Sequence, residues 1–140
     1  LIINGATSLT STHKVKQMLL VGNTVPITVS GIEFTSIDGS GGYVDNCSLI
    51  IFDKCKCVAS SVAQNAFTFI FSKGTVQGCE ISNRAMAIYA GNSSIVSSAT
   101  NTGVNNQMGL VAEFTSTIGK AGAQPSGTTA EFKQNGGEIR

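Results

Sequence analysis

Asn65-Ala66-Phe67-Thr68-Phe69-Ile70-Phe71-Ser72-Lys73-Gly74-Thr75-Val76 carries the pattern from which the fold is read. Arg84-Ala85-Met86-Ala87-Ile88-Tyr89-Ala90-Gly91-Asn92-Ser93-Ser94-Ile95 repeats its style, and Gln107-Met108-Gly109-Leu110-Val111-Ala112-Glu113-Phe114-Thr115-Ser116-Thr117-Ile118 repeats it again. Each line is a short alternating strand, a small polar turn, and Ser or Thr ahead of a β-branched residue that opens the next strand. Alternation sets Phe67, Phe69 and Phe71 on one face and Thr68, Ile70 and Ser72 on the other. Val76 to Ile95 is 19 residues, Ile95 to Ile118 is 23, and upstream Val29 to Ile51 is 22. The period is therefore near 22, with a one-residue slip needed in the third line.

A period of this size also occurs in leucine-rich repeats, but those need regular Leu and a helical return. Hairpins of a sandwich are the other reading, since the strands are separated by short Gly, Asn and Ser turns. Antiparallel hairpins do not require that like chemistry recur one period later, as it does here. The expected fold is all-β: a right-handed, single-stranded parallel β-helix of roughly five or six coils of about 22 residues. One such coil cannot bury its own apolar face. Stacking coils about 4.8 Å apart satisfies the backbone and builds a continuous interior.

Composition agrees. Of the 140 residues only 12% are charged, where about 25% is ordinary. No window carries apolar residues at helical spacing over three turns. Net charge is +1 with Lys and Arg scattered, so no basic stripe supports nucleic-acid binding. Apolar runs such as Leu49-Ile50-Ile51-Phe52 are far too short to span a membrane. The chain opens Leu1-Ile2-Ile3 without Met or signal peptide, and is expected to be a piece of a longer polypeptide. Residues 1–118 are assigned to the β-helix. Residues 119–140, rich in Gly with a short strand at Thr129 to Lys133, are assigned to a C-terminal segment that covers the stack end or mediates assembly.

Cys47, Cys55, Cys57 and Cys79 admit a disulfide reading, but Cys55 and Cys57 share a face of one strand and cannot easily bond to each other. Buried reduced thiols are expected. Their spacing resembles no zinc ribbon, and His13 is remote in sequence and reads as a surface residue, so neither metal nor cofactor is expected.

Ile27-Thr28-Val29-Ser30-Gly31-Ile32-Glu33-Phe34-Thr35 resembles the strand–corner–strand phrase of pectate-lyase-like β-helices. Ala87 to Val96, followed by Asn- and Thr-rich turns, is similar to the β-helices of bacteriophage tailspikes and tail fibres. The resemblance covers about Val25 to Ile118. It implies a trimeric virion tail component that recognises a host surface polysaccharide. A polysaccharide-degrading hydrolase or lyase, or a secreted or surface-bound bacterial adhesin, shares the same style.

A hydrolase needs two carboxyls roughly 5 to 9 Å apart. Asp38 and Asp45, flanking Gly39-Ser40-Gly41-Gly42, are the candidate pair, set against ordinary turn chemistry at the same positions. That glycine tract opens no helix and so is no phosphate loop. Arg84 reads as a solvated corner and not as a lyase base. Tyr43 and Tyr89 are candidate sugar platforms. Alternatively the outward apolar residues, Ile50 or Phe52, Ile70 and Tyr89, bury against another subunit of a homotrimer.

Overall fold

The computed structural model describes residues 1–5 and 13–140, and among these no helix occurs. The chain forms a parallel β-solenoid of about six turns with a repeat near 22 residues. Three sheets run along the stack. Sheet A contains β1 (Ile2–Asn4), β4 (Ile27–Ser30), β7 (Ile50–Asp53), β10 (Lys73–Gln77), β13 (Ile95–Ala99), β15 (Thr117–Ala121) and β17 (Glu138–Ile139). Sheet B contains β2 (Lys14–Val15), β5 (Glu33–Phe34), β8 (Lys56–Ala63) and β11 (Glu80–Arg84). Sheet C contains β3 (Met18–Val21), β6 (Gly42–Asp45), β9 (Phe67–Ile70), β12 (Met86–Gly91), β14 (Asn106–Glu113) and β16 (Gly127–Gln134). The first four coils pass from A to B to C and the next two carry strands in A and C alone, and within each sheet the neighbouring strands lie one coil away and parallel. Hairpins are thereby excluded among the described strands.

The registers differ from those read in sequence, and the differences decide which residues face inward. Val29 stacks on Phe52 and not on Ile51. Phe67 stacks on Ile88, which stacks on Leu110. Because side chains alternate with period two, a one-residue slip sends a whole strand to the other face. Ile50 and Phe52, expected on the outside, are therefore core residues with 0% exposure, and they are withdrawn from any outer interface. Phe71 also departs from expectation. Strand β9 ends at Ile70, and Phe71 turns the corner with φ 47° and 61% exposure.

The interior is a column of aligned apolar side chains. Its centre is aromatic: the Phe52 and Phe67 rings stack at 4.6 Å, and Phe34 meets both edge-on at 5.9 and 5.8 Å. Room for these rings comes from glycines at inward positions. A Cβ on Gly74 would fall 2.0 Å from the Phe69 ring, and one on Gly42 would fall 2.6 Å from Phe52.

Ladders of side chains stitch the corners. At the turn from C to A, the backbone N–H of Cys47 donates to Ser72 Oγ (2.9 Å), that of Ser72 to Ser94 Oγ (3.1 Å), and that of Ser94 to Ser116 Oγ (3.0 Å). At the turn from A to B, the N–H of Cys79 donates to Asn101 Oδ1 (2.9 Å), and the N–H of Cys55 meets Cys79 Sγ at 3.3 Å. Three of the four cysteines thus occupy slots that Ser or Asn fills in other coils. All four are buried free thiols. Burial pushes Cys57 up to about 12 and Cys79 also upward, so neither is a poised nucleophile.

Arg84 is not a solvated corner. It has 0% exposure, and its guanidinium reaches along the stack. It donates to the carbonyls of Ser36 (2.6 Å), Cys57 (3.3 Å) and Phe34 (3.5 Å), on the two preceding coils. Strand pairing continues past Ile118: β16 lies in register on β14 and β17 on β15. In this last coil the inward position over Leu110 is Glu131, and that over Ser98 is Lys120. The two pair with each other, so an ion pair stands above the buried Leu110 and Ser98 of the coil below.

Candidate functional site

The three outer faces carry different chemistry. On sheet B, Lys14, Glu33, Lys56 and Glu80 follow one another up the stack in alternating charge, with Lys14–Glu33 and Lys56–Glu80 ion pairs of 3.3 Å each. Half-buried cross-strand pairs of this kind satisfy one another and suit a solvated face. On sheet A the outward column Thr28, Ile51, Thr75, Ser97 is mainly short hydroxyl residues, and beside it Asp53 accepts from Ser30 (3.2 Å) and Gln77 (3.0 Å). Sheet C alone presents aromatic rings. Its outward column is Leu19, Tyr43, Thr68, Tyr89, Val111 and Phe132.

Both candidate tyrosines therefore stand in one column, two coils apart, with the small, buried Thr68 between them. A second outward column runs alongside: Val21, Asp45, Ile70, Gly91, Glu113 and Gln134. Asp45 and Ile70, singled out in sequence for different reasons, are neighbours in it. The Tyr89 ring lies across Gly91, where a Cβ would come within 2.7 Å of the ring and its hydroxyl. That hydroxyl donates to Glu113 Oε2 at 3.1 Å, and Gln134 Nε2 donates to Glu113 Oε1 at 2.5 Å. Tyr89, Glu113 and Gln134, on three successive coils, form one polar network beside the aromatic column.

Burial raises the Tyr89 phenol to about 12, with its hydrogen bond to Glu113, the Glu113 charge and Tyr43 acting in the same direction. It therefore remains a neutral donor through the physiological range. An unfolded tyrosine ionises near pH 10. The contribution of this phenol to stability is thus complete below pH 10 and is lost as pH rises toward about 12. In an alkaline absorbance titration, we expect one tyrosinate component with a midpoint near 12 that is missing from Tyr89→Phe. A single component near the ordinary value in the wild-type protein would contradict the packing described for this ring.

Asp38 is not part of this face. It stands before β6 and its carboxylate is held by Lys16 at 3.2 Å, in an exposed pair. Asp45 lies three coils from Glu113, about 14 Å at the rung spacing of a sheet. The two carboxylates of this column are too far apart for the roughly 5–9.5 Å of a glycosidase pair. The arrangement suits holding a ligand: rings for an apolar face, with a carboxylate, an amide and a phenol for hydroxyl groups. Among the described residues no group of three or more His, Cys, Asp or Glu is placed to hold a metal ion.

The sequence singled out Tyr43 and Tyr89 as sugar platforms, Asp45 as an acid and Ile70 as an interface residue; the structure sets them on one face together with Glu113, Gln134 and Phe132, which the sequence did not single out for it. The signal was present as spacing. Tyr43 to Tyr89 is 46 residues and Tyr89 to Phe132 is 43, each close to two coils. Compared with protein-family models, with curated proteins and with solved structures, the chain matches none.

Proposed function

We propose that this solenoid is a receptor-binding segment of a phage tail fibre or tailspike, working within a homotrimer and holding a host surface polysaccharide on the outer face of sheet C. The observation that carries the binding part of this reading is the column Tyr43–Tyr89–Phe132, with the Tyr89–Glu113–Gln134 network beside it. Aromatic rings accept the C–H face of a sugar, and side chains already oriented by mutual hydrogen bonds meet its hydroxyls at small entropic cost. The sheet B face, with its charges mutually paired, and the hydroxyl-rich sheet A face offer no comparable platform. The phage context rests on the resemblance of residues Val25 to Ile118 to tailspike β-helices.

Electrophoresis through gels containing bacterial capsular polysaccharide or lipopolysaccharide O-chains tests the reading. Migration is expected to be retarded in at least one gel, and Tyr89→Ala to weaken retention about tenfold, equivalent to roughly 1.4 kcal/mol. Lys56→Ala, on the sheet B face, is the control and should behave as wild type. No retardation in any gel, or equal retention of Tyr89→Ala and wild type, would sink it.

A further inference from the structure

The corner that leads from sheet C to sheet A has an order of its own. Its positions up the stack are Gly22, Asn46, Phe71, Asn92, Phe114 and Asn135, each one residue beyond the second outward column of sheet C. All six have left-handed backbone, with φ of 67°, 52°, 47°, 53°, 52° and 50°. Glycine and asparagine adopt this conformation readily; a bulky aromatic residue there is an outlier that only its surroundings or its use explain. The surroundings do not explain these two. Phe71 is 61% exposed and Phe114 is 45% exposed, so neither ring is held by the core. The fold alone favours asparagine here, which three of the six coils have.

Phenylalanine also alternates with asparagine, and the alternation interlocks with that of sheet C. Coils with a ring in the sheet C column (Tyr43, Tyr89, Phe132) have asparagine at the corner. Coils with a ring at the corner (Phe71, Phe114) have Thr68 or Val111 in the column. Each of five successive coils thus presents one ring, left and right in turn, along the stack.

We infer that a neutral, extended glycan chain lies along the solenoid axis on this corner, with sugar rings seated on Phe71 and Phe114 and hydroxyls on the intervening asparagine amides. The inference rests on the reading of the adjoining sheet C face as a polysaccharide site, and adds the path, direction and charge class of the ligand. Two coils span about 9.6 Å, a length comparable to two sugar units of an extended chain. A protein partner fits less well, because the rings are separated by amides and form no continuous apolar patch. Asp45 and Glu113 border the strip and disfavour an anionic polymer.

Phe71→Asn and Phe114→Asn test this with two readouts of opposite sign. Each replaces a strained residue with the one its stack neighbours carry, so the melting temperature should rise, by about 3–6 °C. Retention in gels of soluble neutral glucans or mannans should fall about tenfold in either variant, and wild type should migrate freely in polygalacturonate. Retention within twofold of wild type, or a lowered melting temperature, overturns the inference. Loss of retention in Tyr89→Ala with none in the two Phe variants overturns it while leaving the sheet C reading intact. Absence of retention of the wild-type protein in every neutral gel and every bacterial polysaccharide gel overturns both.

Discussion

Phe52→Ala should lower the unfolding free energy by about 3–5 kcal/mol, the range for truncating a buried phenylalanine. The side chain has 0% exposure and stands at the meeting point of three other rings, stacked on Phe67 at 4.6 Å and edge-on to Phe34 and Phe69 at 5.9 and 6.1 Å. The glycine opposite, Gly42, has no side chain with which to fill the space left behind. Collapse around the lost ring is therefore limited, which places the cost toward the upper part of that range. Its neighbour Ile51 points outward and is half-buried, so Ile51→Ala should cost much less. Urea unfolding at unchanged m-value reads both. The pair also reports the register directly: were Val29 stacked on Ile51, the two effects would exchange.

Arg84→Ala should also be costly, by about 2–5 kcal/mol, from the unsatisfied carbonyls and the cavity it leaves. A guanidinium with 0% exposure is expensive to bury, and among the described residues no carboxylate pairs with it. What holds it is the set of carbonyls of Ser36, Cys57 and Phe34, which tie the fourth coil to the third and second. Truncation leaves those carbonyls without their donor and opens a cavity the length of the side chain. Arg84→Met retains most of the volume but not the donors, and should cost less, about 1–3 kcal/mol. An alanine variant within 1 kcal/mol of wild type would mean that water or neighbouring groups satisfy the carbonyls and that the arginine is no staple.

The solenoid was legible because its requirement is periodic. Strand, polar turn and Ser or Thr before a β-branched residue recur near every 22 residues, and only stacked parallel coils bring such positions together. Register was harder, since the true offsets vary: 23 residues from Val29 to Phe52, 21 from Phe67 to Ile88, 22 from Ile88 to Leu110. In a half-buried strand an error of one residue exchanges the faces, which is how Ile50 and Phe52 came to be expected outside. A better marker was available in Ser72, Ser94 and Ser116, spaced 22 and 22, whose hydroxyls take the N–H groups of the preceding coil. Arg84 was misplaced for a different reason. Composition suggests solvent for an isolated arginine, and the carbonyls that receive it come from residues 27 to 50 positions away.

Of the outer face, the tyrosines and Ile70 were recognisable as outward residues, and Asp45 was singled out only as a candidate acid. What joins them, the two-coil spacing of rings and the Tyr89–Glu113–Gln134 network, depends on register and appears only when the coils are stacked. Asp38 and Asp45 flank one glycine turn in the sequence, yet the first is held by Lys16 and the second faces out from sheet C.

The most direct test of the central claim is to map ligand contact residue by residue. Backbone amide spectra of the labelled protein are recorded while adding a neutral oligosaccharide from the polysaccharide that retains it. Shift changes should concentrate on sheet C and the adjoining corner, at Tyr43, Tyr89, Glu113, Phe71, Asn92 and Phe114, with the outer faces of sheets A and B unchanged. Changes centred on the Lys14–Glu33–Lys56–Glu80 face or on the Thr28–Thr75–Ser97 face would contradict the claim.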